Sequence, residues 1–115
     1  MRPEAHPIVA QVRAYVDHPP LGDAGGESWQ RAVVGEMERL LVSGYACALQ
    51  LDSDRSRLEG SVRDLVMRLD DDLLDIAELR RVRSELGDRS LELVGLRGLL
   101  GALSEQIEAR RLELD

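Results

Sequence analysis

The chain has 115 residues, 43% apolar and only 3% aromatic, with 22 acidic against 15 basic side chains and a net charge of −7. That is one domain's worth of chain with enough apolar content for a core. The charge argues against bare nucleic acid and against an anionic membrane surface, since both are bound by net basic footprints. The single cysteine, Cys47, excludes an internal disulfide and a thiolate metal site.

Lys, Asn, Thr and Phe are absent and every basic residue is Arg, which points to GC-rich coding and a bacterial source. There is no apolar leader, and no apolar run approaches the ~18 residues of a membrane span. The expected location is the cytoplasm. A core without Phe must be built from Leu, Val, Ile and Ala, and Leu and Ala are among the best helix formers.

Residues 1–27 form an N-terminal segment that holds all four prolines and both histidines, His6 and His18. Pro7–Val16 reads as a short helix with Ile8, Val12 and Tyr15/Val16 on one face, stopped by Pro19-Pro20. Leu21 to Glu27, with Gly22, Gly25 and Gly26, reads as a linker. A helix that short does not stand alone in water, so it docks on the body, docks on a partner, or stays unfolded.

Residues 28–115 contain no proline and form the helical body. Ser28 is the expected N-cap. Val33, Met37, Leu40, Gly44, Cys47 and Leu51 follow at helical spacing, and the small Gly44 and Cys47 would let a neighbouring helix approach closely. Asp52-Ser53-Asp54 offers a break, but no Gly or Pro supports one, so continuity is favoured. Leu58, Val62, Leu65, Leu69, Asp72, Ile76, Leu79, Arg83 and Leu86 then alternate as a and d positions of heptads, with Val66 and Leu73 widening the apolar face. Glu59 with Arg63 and Asp64 with Arg68 are candidate i,i+4 pairs. Gly87-Asp88 reads as a C-cap followed by an N-cap, placing a turn there. The returning helix carries Leu93, Leu96, Leu100, Leu103 and Ile107, with Gly95, Gly98, Ala102 and Ala109 on its other side, and a charged end expected to fray.

The expected fold is therefore all-α: an antiparallel helical hairpin or coiled-coil-like bundle, its broad apolar face completed by oligomerisation or by a partner helix. Trp29 is a candidate aromatic anchor for a partner. Val62, Leu65, Leu69, Ile76 and Leu79 are candidate partner-facing apolar positions. Asp72 in that register either pairs with an Arg, Arg83 or one from another helix, and fixes register, or turns outward while Leu73 fills the core. Gly95 and Gly98 are candidate close-contact positions.

Acid pairs Asp72/Asp75 and Glu85/Asp88 suggest shared Mg²⁺. They depart from the ExxE and ExxD pairs of all-α nucleotide pyrophosphohydrolases, because the first is DxxD, the gap is short and no Lys accompanies it. With no His in the helical body, a Ser-His-Asp triad and a Glu-x-x-His di-iron site are excluded, and no phosphate loop is present. No metal and no cofactor is expected. The reading is a non-enzymatic interaction module, a small acidic adaptor or regulator for a basic or helical protein such as a transcription or sigma factor. The alternatives are a homo-oligomeric assembly component, with a homodimer expected, and a metal-dependent nucleotide hydrolase.

Overall fold

With proline confined to the first 20 residues and strong helix formers filling the rest, helix is the default for this chain. The structure is a computed structural model that describes residues 7–20, 26–68 and 73–114, with side chains placed from Asp75 onward in the third stretch. Among these residues there are three helices and no strand: α1 (Pro7–Asp17), α2 (Gly26–Met67) and α3 (Leu73–Leu114). No helix among them is long and apolar enough to cross a membrane.

α1 starts on Pro7, whose missing N–H is no loss in a first turn. It ends ahead of Pro19-Pro20, where the His18 N–H donates to the Ala14 carbonyl at 2.9 Å. α2 opens at Gly26, whose φ of 73° is a conformation that L side chains rarely adopt. Ser28 thus lies inside the first turn, not at the cap. α2 then runs unbroken through Asp52-Ser53-Asp54. Asp52 pairs with Arg55 at 2.7 Å and Asp54 with Arg57 at 3.1 Å, so both acids are held by neighbours on the helix surface and do not cap a new one.

The turn is where the sequence reading misses. α2 ends at Met67, Arg68 is in a turn, and α3 begins at Leu73, so the hairpin reverses some 20 residues before Gly87-Asp88. α3 passes through Gly87 as ordinary helix. Nothing lies within 4 Å of a Cβ built there, and an exposed helical glycine costs only about 1 kcal/mol relative to alanine. That is too little to break a helix anchored at Val82, Leu93 and Leu96, all buried. Residues 69–72, between the two helices, lie outside the described residues. The charged C-terminus is helical as far as Leu114.

The chain divides into two compact units. The first, Met1–Cys47 with Leu96–Asp115, packs α1, the start of α2 and the end of α3. Its core takes Val12 from α1, Val33, Val34, Met37, Leu40 and Cys47 from α2, and Leu96, Leu100, Leu103 and Ile107 from α3. Gly44 sits against Leu100 while Glu38, earlier in α2, pairs with Arg111, later in α3, at 2.6 Å. The two helices therefore run antiparallel. A Cβ on Gly44 would overlap the Leu100 Cδ2 atom, so glycine here sets the close approach that the sequence suggested. α1, too short to be stable alone, is held by burial of Val12 and by polar ties from α3. Gln106 donates to the Val16 carbonyl at 3.4 Å, and Arg110 donates to the Pro20 carbonyl at 2.5 Å.

The second unit, Ala48–Gly95, is a two-helix hairpin. Ala48, Leu51, Leu65, Val82 and Leu93 are buried. Leu58, Val62, Ile76, Leu79 and Leu86 are only half-buried, as two helices without a third layer require. The apolar repeat read as one seam from Leu58 to Leu86 is thus divided between α2 and α3. On α3 the register turns Val82 inward and Arg83 out to solvent, which reverses the sequence assignment at that point. Val66, expected to widen the core face, is 54% exposed. Of the expected surface pairs, Glu59 pairs with Arg55 at 3.8 Å, and Arg68 donates to the Asp64 carbonyl at 3.3 Å.

Candidate interaction surface

The half of each long helix that faces the core accounts for the buried residues. The outward halves are informative because they are not uniformly polar. On α2, Val42, Tyr45 and Leu49 follow at spacings of three and four, so they share one face. They are 70%, 51% and 71% exposed. On α3, Leu91 and Val94 are 74% and 68% exposed. Gly95, Gly98 and Gly101 continue on the outer side of the same helix, and a Cβ added at any of them would meet nothing within 4 Å. Single exposed apolar residues are ordinary, whereas contiguous ones mark contact surfaces.

The candidate partner residues separate into four groups. Leu65 is buried inside the hairpin of the second unit, where Leu58 and Val82 line the same groove, so it serves the chain's own core. Trp29, Val62, Ile76 and Leu79 are half-buried. Gly95 and Gly98 lie open on α3, and the close helix contact expected of them is made instead by Gly44. Leu69 and Asp72 lie outside the described residues, so the proposed Asp72–Arg83 pair does too. Val42, Tyr45, Leu49, Leu91 and Val94 were missed as a surface. Their signal was present as a second three-four repeat, out of phase with the core repeat on each helix.

The first unit also has an open groove of about 410 Å³ between α1 and α2, lined by residues such as Tyr15, Glu36, Arg39 and Ser43. Partial burial raises the Tyr15 pKa above its ordinary 10.0, and a hydrogen bond to the Glu36 carboxylate raises it further. This contact holds the phenol neutral and pins α1 to α2. It supplies no activated nucleophile.

The acidic residues behave as surface partners. Arg81 lies between Glu78 and Glu85, at 2.5 and 2.6 Å. The hydrogen bond from Arg81 keeps the Glu78 carboxyl below its usual range. Of the acid pairs that suggested Mg²⁺, Asp72 lies outside the described residues, Glu85 is engaged by Arg81, and Asp75 and Asp88 are half-buried on α3. Among the described residues, no group of three or more His, Cys, Asp or Glu side chains is placed to hold a metal ion. No family model matches this chain, and no curated protein or solved structure is similar to it.

Proposed function

We propose that this chain is a non-enzymatic interaction module that binds another protein through the outer face of α2. The observation that carries the reading is the exposed stripe of Val42, Tyr45 and Leu49 on one side of a helix whose opposite side, at that level, carries Leu40, Cys47 and Leu51 into the core. Such a stripe fits an amphipathic helix of a partner, read at i, i+3 and i+7. Tyr45 has the rigid, amphipathic ring favoured at contact centres. The net charge of −7 steers association toward a partner whose apolar face is flanked by basic residues.

The test is position-specific photocrosslinking in cells. A crosslinker at residue 45 or 49 is expected to trap one and the same basic, helix-bearing protein, and a crosslinker at exposed Ala10 on α1 is expected to trap none of it. The purified partner should then bind the wild-type chain and lose at least tenfold in affinity to Leu49→Asp. Identical products from all three positions, or a partner indifferent to Leu49→Asp, would remove the α2 face from the function.

A further inference from the structure

Of the surfaces left after the fold is accounted for, the outer side of α3 has the longest regular pattern. α3 is one continuous helix, so a face recurring along it belongs to that helix alone. From Ala77 to Leu112, every position reached by alternating steps of three and four is exposed. This is a second complete heptad seam, out of phase with the seam that carries Leu93, Leu96, Leu100 and Ile107 into the core. Its centre is apolar or small: Leu91 and Val94, then Gly98 and Gly101, around which no atom lies within 4 Å of an added Cβ. Its two ends are charged and opposite in sign. Arg80, with Arg83 beside it, lies toward the N-terminal end, and Glu105 and Glu108 lie toward the C-terminal end.

We infer that this seam pairs with the same seam of a second copy of the chain, antiparallel. The arrangement of charge selects both the occupant and the direction. Parallel pairing stacks Glu105 on Glu105 and Glu108 on Glu108, which is repulsive. Antiparallel pairing sets the arginine end of each helix alongside the glutamate end of the other, twice by symmetry. Size follows the same rule. In the antiparallel register that layers position 91 with 101, Leu91 of one copy lies over Gly101 of the other and Val94 over Gly98. Large residues then fill the space left by small ones. A partner lacking this charge order would meet one end of the seam with like charge. The pairing uses α3 and leaves the α2 stripe open, so it stands or falls independently of the proposed partner site.

The test is the solution mass of the full chain by light scattering across concentrations, with far-UV circular dichroism confirming helix content for each variant. The wild type is expected to approach twice the mass of one chain as concentration rises. Leu91→Asp with Val94→Asp, both at exposed positions, should keep the helix signal and shift the midpoint of association at least tenfold upward. Arg80→Glu with Arg83→Glu should weaken association, and adding Glu105→Arg with Glu108→Arg should restore it. A nitroxide at position 108 should report a separation of roughly 35 Å between copies, since about 24 residues at 1.5 Å each separate the two labels along antiparallel axes. A chain that stays monomeric, a dimer untouched by Leu91→Asp with Val94→Asp, failure of the four-residue reversal to restore association, or a separation near 10 Å overturns the inference. In each of these cases the α2 crosslinking result is unaffected.

Discussion

Two glycines on α2 show how little a residue type says without its neighbours. Gly44 faces Leu100 so closely that a methyl group there has no room. Overpacking costs about 1–3 kcal/mol, which outweighs the ~1 kcal/mol that alanine returns in helix propensity. Gly60 has nothing within 4 Å of an added Cβ. Gly44→Ala is therefore expected to destabilise the chain, while Gly60→Ala should stabilise it by about 0.5–1 kcal/mol. Chemical denaturation midpoints measured side by side test the pair, and equal signs for the two variants would show that α2 and α3 do not meet at Gly44. The same contrast separates leucines. Leu100 is 1% exposed and Leu91 is 74% exposed, so truncation to alanine belongs to the 2–5 kcal/mol class at the first and to the near-neutral surface class at the second.

At the level of the element, α1 is the part whose structure depends most on others. Eleven residues cannot hold a helix in water, so its order comes from Val12, from the Gln106 and Arg110 ties, and from Tyr15 against Glu36. The Tyr15 contact adds a pH dependence. Its pKa in the folded chain is above the ordinary 10.0. The contribution is therefore fully present below about pH 10 and is lost as pH rises through the folded value, when a phenolate would face the Glu36 carboxylate. Between pH 9 and pH 11.5 the wild type should lose more denaturant resistance than Tyr15→Phe, which has no proton to give up. If the two lose stability in parallel over that range, Tyr15 makes no linked contribution to the docking of α1.

For the whole molecule, the difference between three helices and two decides where stability resides. In the first unit Met37, Leu100 and Leu103 are at most 1% exposed, whereas in the second Leu58, Val62 and Leu79 remain half-buried. Local opening should follow that difference. Amide hydrogen exchange at low protein concentration is expected to be slower at residues 37–47 and 96–107 than at 55–67 and 76–86. Equal protection in both stretches would contradict the assignment of the weaker core to the two-helix unit.

The all-α class, the short first helix stopped by Pro19-Pro20, the unbroken passage through Asp52 and the tight packing at Gly44 were all legible in the sequence. Each depends on local chemistry: proline geometry, helical period and side-chain size. The turn was not legible, because Gly87-Asp88 carries the local signature of a cap and loses to the leucines on either side, which only antiparallel packing makes mutually supportive. For the same reason Val82 and Arg83 exchanged roles: Leu79 and Leu86 keep their inward places, and packing takes the step between them as three then four residues instead of four then three. Which apolar residues stay outside was also a tertiary decision. α2 and α3 each carry two three-four repeats, and only the packing of one against the other determines which repeat becomes core and which is left as the surface of Val42, Tyr45 and Leu49 or of Leu91 and Val94.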